Sequence, residues 1–135
     1  MAKKKIKSFE HACEVLGQPI DIEKFNQLGL PVKDLQPLID YYKITKIVEA
    51  TNKLNNWKAD WENSSQWKYS AYFRVKADDV KPSGFGFSYT FYGCWFTDTG
   101  VGSRLCVGTS EEARYIGETF ITQFESAWLI IEAKE

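Results

Sequence analysis

One histidine, three cysteines and no apolar run longer than the five residues from Ala127 to Ile131 set the first limits on this 135-residue chain. A membrane-spanning helix needs about 20 consecutive apolar residues, so the sequence encodes none. Cys13, Cys94 and Cys106 are odd in number and form no C-x-x-C pair, which leaves neither a disulfide framework nor a zinc site in view. All three read as reduced, mostly buried thiols. His11 falls in a helical stretch with no second imidazole to share a metal ion, and no cofactor is expected. Charge of one sign is missing too, with 17 Lys and Arg against 18 Asp and Glu. Residues 1–81 carry 14 basic against 11 acidic groups and residues 82–135 carry 3 against 7. Nucleic-acid domains usually concentrate basic residues on one face, so this balance favours other partners. No apolar stretch follows Lys3, Lys4, Lys5 and Lys7 to make a secretory signal, and the expected location is cytoplasmic.

What the chain has is aromatic residues. Thirteen of its 21 lie between Trp57 and Phe96, with four of the five tryptophans among them. Each can bury roughly 150–250 Å², so the block is either the core of a small sheet or a stacking surface. The length suits one domain, expected over residues 8–131, with a lysine-rich mobile tail at 1–7 and a short C-terminal tail at 132–135.

Local signals order the elements. Ser8 is placed to cap a helix ended by Gly17. After a connector rich in proline, a long helix is expected from about Asp34 to Asn55, with Pro37 in its first turn and apolar residues on two sides. Asn55, Asn56, Asn63, Ser64 and Ser65 supply turn chemistry around Trp57 and Trp61. The period then changes to two. Trp67, Tyr69, Ala71, Phe73 and Val75 alternate with Lys68, Ser70, Tyr72, Arg74 and Lys76, and Phe85, Phe87, Tyr89 and Phe91 alternate with small or polar residues. Val101 to Val107 alternates again as a third strand. Thr109 and Glu112 form a capping box for one final helix running to about Ile130. Helices flanking consecutive strands, without βαβ alternation, predict an α+β domain. Its expected form is an antiparallel three- to four-stranded meander with two N-terminal helices and one C-terminal helix on one face, and with Phe85, Phe87, Tyr89 and Phe91 buried.

Several strings invite a chemical reading. Gly84-Phe85-Gly86-Phe87 matches four positions of the aromatic strand signature of RNA recognition motifs, but Ser83, Ser88 and Thr90 break it and the element order is wrong for that fold. Thr99 to Arg104 has the glycines of an anion-binding loop, yet a strand rather than a helix is expected to follow, which makes it a hairpin turn. Asp78 and Asp79 point apart in a turn. Ser103 or Cys106 would have only the distant His11 as a base, so no catalytic residues are assigned.

Trp57-x-x-x-Trp61-x-Asn63-Ser64-x-Gln66-x-Lys68-Tyr69, then Gly84 to Ser88, then Val101-Gly102-Ser103-Arg104-Leu105-Cys106, resembles a group of small proteins encoded by phages and prophages of Bacteroidetes. The resemblance runs from the Ser8-Phe9-Glu10 helix start to the helix at 111–120. It implies a phage protein acting in the bacterial host cytoplasm or the virion, and it carries no activity with it. The expectation is a non-enzymatic module that binds a host or phage protein through Trp57, Trp61, Trp67, Tyr72, Arg74 and Tyr92. Single-stranded nucleic acid, held by aromatics with Lys68, Tyr72, Arg74 and Lys76, is the alternative. A third is small-molecule or nucleotide sequestration in an aromatic pocket.

Overall fold

The computed structural model describes residues 4–81 and 83–130, apart from the side chain of Tyr89. Helix α1 spans Phe9–Leu16 and opens as its sequence implies, with Ser8 Oγ accepting from the His11 N–H at 3.0 Å. Gly17, at φ +67°, closes it. The Gly17 N–H reaches the Glu14 carbonyl and the Gln18 N–H the Cys13 carbonyl, the paired bonds of a Schellman end. A 3₁₀ helix at Ile22–Leu28 fills the connector and leads into α2, Val32–Leu54. Because α2 starts two residues before the expected point, Pro37 is its sixth residue and lies beyond the first turn. Its two-sided apolar pattern is used: α2 packs against α1 and against the last helix of the chain.

Strands β1, Lys68–Ala77, and β2, Phe85–Trp95, pair antiparallel. The fold is α+β with an antiparallel sheet, but the expected third strand contributes one rung. Val107 exchanges both backbone bonds with Tyr69 at 2.8 and 2.9 Å, and Ser103–Leu105 before it is a 3₁₀ turn. Gly102, at φ +77°, and the Thr99 Oγ1 bonds to the Val101 and Gly102 amides curl this segment away from extended pairing. The final helix is also divided. α3, Ser110–Thr119, and α4, Ile121–Trp128, meet at Phe120, whose φ of −113° and ψ of 28° break the helical run. Thr109 Oγ1 caps α3 through the Glu112 N–H at 3.1 Å, while the Glu112 carboxylate reaches back to the Gly108 N–H.

A bulge overturns the expected inner row of β2. Phe73 pairs with Thr90 and Val75 with Phe87, so Arg74 faces two residues, Ser88 and Tyr89. One extra residue reverses which side later side chains take. Thr90 is therefore buried and Phe91 is 45% exposed. Phe87 keeps its place inside, stacked on Phe73 at 4.2 Å, and Phe73 meets Phe124 at 5.0 Å. α3 crosses this inner face at Gly117, where a Cβ would stand 2.5 Å from Thr90 Cγ2. Ile44, Ile47 and Val48 of α2 complete the core with Ile116, Phe120 and Phe124.

The lysine-rich start is docked from Lys4 onward rather than trailing as a tail. Ile6 is fully buried, its carbonyl accepts from the Tyr115 hydroxyl at 2.8 Å, and the Lys4 backbone bonds twice to the Asn55 side chain. Residues 1–3 and 131–135 lie outside the described residues, as do the tail expectations placed on them. Among the described residues no helix is long and apolar enough to cross a membrane.

Candidate functional site: a tryptophan cleft

Trp57 and Trp61 sit on the loop that follows α2, and that loop is fastened at several points. The Trp57 N–H bonds to the Asn52 carbonyl, and Asp60 and Asn63 turn the chain by accepting from the amides of Glu62 and Ser65. Gln66 staples the loop across its width, its Oε1 accepting from the Asp60 N–H and its Nε2 donating to the Lys58 carbonyl. Lys68 is the main departure from expectation. Placed by alternation on a wet face, it is fully buried, and its ammonium donates to the carbonyls of Asn63, Gln66 and Phe96 at 3.1, 2.9 and 2.5 Å. It also lies 5.1 Å from the centroid of the Trp61 ring. Three carbonyl oxygens and an aromatic face replace the water that the charge has lost, which a buried ammonium requires.

This loop, α2 and the 3₁₀ turn at Ser103–Leu105 enclose a cleft of about 600 Å³. Its walls are Thr45, Val48, Glu49, Asn52 and Lys53 from α2, Trp57 to Ala59 and Trp61 from the loop, and Ser103 with Arg104 opposite. Both indoles are half-buried. Trp57 lies against Gly108, where a Cβ would approach Trp57 Cδ1 to 2.8 Å, and Trp61 Nε1 donates to Ser103 Oγ at 2.6 Å. Lys53, Lys58 and Arg104 are exposed at the cleft and form no ion pair among the described residues, whereas the Glu49 carboxylate is held by Lys46 at 3.0 Å. The cleft is thus mostly apolar inside with surplus positive charge at its rim.

The other expected site residues are dispersed. Tyr72 is 56% exposed on the outer sheet face, directly across from Phe91, and Arg74 and Lys76 follow it at alternate, exposed positions. Tyr92 is on the inner face, edge-on to Tyr69 at 5.6 Å. Trp67 is exposed beyond the covered part of that face, against Phe96. Arg104 and the α2 residues were not legible as site residues, because the turn that brings Arg104 to the cleft looked like a hairpin. The amides of Val101 and Gly102 are already bonded to Thr99 Oγ1, which leaves the Arg104 side chain, rather than the loop backbone, as the group that can meet an anion.

The candidate nucleophiles are engaged structurally. Burial pushes the Cys106 thiol up to about 11, against a smaller opposite pull from Lys68 and Thr99, and its Sγ–H donates to the Gly102 carbonyl at 3.3 Å. Burial likewise raises Cys94 and Tyr69, the latter also through Cys94 and Tyr92. His11 Nδ1 accepts from the Lys7 N–H. The described residues contain no cluster of three His, Cys, Asp or Glu side chains suited to a metal ion. Comparisons with protein-family models, curated proteins and solved structures find no match to this chain.

Proposed function

We propose that this chain is a non-enzymatic binding protein whose working site is the Trp57–Trp61 cleft, and that its ligand is compact, partly apolar and negatively charged. The observation that carries this reading is the joining of two half-buried indoles to three unpaired cations around one concavity of about 600 Å³. Small-ligand sites are commonly clefts of about 300–1,000 Å³, largely apolar, with a few polar groups that fix orientation. Anchors for a flat protein contact would stand largely exposed, and Trp57 and Trp61 instead line a recess. A binding role without catalysis is supported by the engagement of the Ser103 hydroxyl with Trp61 and of the Cys106 thiol with Gly102. On the resemblance to phage-encoded proteins, the ligand would be met in the bacterial host cytoplasm or in the virion.

A fragment screen by NMR tests the reading, following the indole N–H signals of Trp57 and Trp61 with aromatic carboxylates and phosphates. Binders should move those two signals and leave the Trp67 and Trp128 signals in place; a screen in which neither signal moves overturns it. The second reading, a protein partner on the sheet, is favoured by the exposed Tyr72–Phe91 pair beside Arg74. Single-stranded nucleic acid on the same surface keeps Tyr72, Arg74 and Lys76 but loses Lys68, whose charge is buried.

A further inference from the structure

We infer that the cleft is a nucleoside phosphate site, with the base stacked on Trp61 and the phosphates on Arg104, Lys58 and Lys53. This deepens, and rests on, the cleft being the working site. The indole of Trp61 is held at its edge, because Nε1 already donates to Ser103 Oγ at 2.6 Å. Its ring face is therefore what it offers to a ligand. The Lys68 ammonium lies over that ring, 5.1 Å from its centroid, and Lys68 is fully buried, so it covers the indole face turned away from solvent and leaves the other to a ligand. A cation on one face draws on the ring's negative quadrupole, which weakens attraction for a second cation or for the electropositive C–H face of a sugar. An electron-rich heteroaromatic ring loses nothing by that polarisation. Trp61 is thus prepared for base stacking, a sequence-tolerant contact because every base has a π-face.

The charge at the rim selects the rest of the ligand. Glu49 is neutralised by Lys46, while Lys53, Lys58 and Arg104 have no carboxylate partner among the described residues. Arg104 brings a planar fork suited to two phosphate oxygens, and the two lysines add mobile point charges. A neutral planar ligand would leave these cations unused, and an inorganic anion would leave the indole faces bare.

Isothermal titration of the full chain with ATP, GTP, CTP and UTP, and in parallel with adenosine and inorganic triphosphate, tests the assignment. At least one nucleotide should bind one to one, at least tenfold tighter than adenosine and than triphosphate. Arg104→Glu, at an exposed position, should weaken it at least tenfold, Trp61→Phe should retain most of the affinity and Tyr72→Ser all of it. Adenosine binding as tightly as ATP, or triphosphate binding as tightly, overturns the inference by showing that one half of the ligand suffices. Failure of all four nucleotides also overturns it. If other fragments still move the Trp57 and Trp61 indole signals, the cleft stands and only the nucleotide assignment falls. If none does, both fall.

Discussion

At one end of the β1–β2 ribbon both faces are covered, and at the other neither face is fully sheltered. Around Lys68, Ser70, Gly93 and Trp95 the inner face is covered by the Val107 segment at Tyr69 and by α3 from Ala71 onward, and the outer face is closed by Trp95, which lies across Gly93 with its Nε1 on Ser70 Oγ at 3.1 Å. Around Val75, Ala77 and Phe85 the same kind of alternating sequence stands in solvent, tied to α4 by the Lys81–Glu125 ion pair and the Phe87 N–H bond to Glu125. The difference teaches that alternation reports the pleat of a strand and not its cover. A polar residue in the alternating row is wet only if nothing else packs there.

Lysines at the two ends give the sharpest way to break this contrast. Lys68→Ala leaves three carbonyls without their donor and should cost about 3 kcal/mol, while Lys76→Ala should cost less than about 0.5 kcal/mol. Urea denaturation measures both, and equal losses would mean that the covered end is no better built than the open one. Trp61 fluorescence should also shift in Lys68→Ala, since the cation beside its ring is gone.

Glycines make the next test. A methyl at Gly108 would meet Trp57 Cδ1 at 2.8 Å, whereas at Gly86 its nearest neighbour is Asp78 Oδ2 at 3.4 Å, ordinary contact. Gly108→Ala should lose about 2 kcal/mol and displace Trp57 from the cleft wall, and Gly86→Ala should change stability by less than about 1 kcal/mol. Thermal melts with near-ultraviolet circular dichroism distinguish the two; an unmoved Trp57 signal in Gly108→Ala would break the packing account.

Alkaline titration probes the same covered end through Cys106. Its thiol is raised from 9.0 to about 11 in the fold, so below pH 9 it is protonated in both states and its contribution is complete. Between pH 9 and 11 the unfolded chain releases this proton before the native one, and stability falls with rising pH. Cys106→Ala should flatten that decline, seen as denaturation midpoints from pH 8 to 11. The smallest effect belongs to the open outer face. Tyr72→Ser should alter stability by less than about 0.5 kcal/mol, because the side chain is 56% exposed. A larger loss would show that the Tyr72–Phe91 pair supports the fold rather than standing free for a partner.

Where the sequence was legible, the interactions were short in range. Ser8 with His11 and Thr109 with Glu112 are bonds across three residues, and each sets its helix start where the residue types imply. The hairpin of β1 and β2 follows from its two alternating runs. The bulge at Arg74 was invisible, since an extra residue leaves the composition of a strand unchanged while reversing the side its later residues take. The third strand is present but shortened to one rung for a similar reason: Val101 to Val107 alternates, but Thr99 and Gly102, at positive φ, curl the backbone so that only Val107 pairs.

The cleft divides along the same line. Its two tryptophans stand out in the sequence by their spacing, and the turn residues around them announce a loop. Lys53, Arg104 and the burial of Lys68 come from segments up to about fifty residues apart, joined only when α2, the tryptophan loop and the 3₁₀ turn pack together. By itself the sequence determined the class of fold, the helix ends and the aromatic character of the site, because caps, turns and pleats are decided by neighbours along the chain. Only the tertiary structure decided which faces are covered, which charge is buried and which cations meet the indoles, because burial is a property of what a distant segment lays on top.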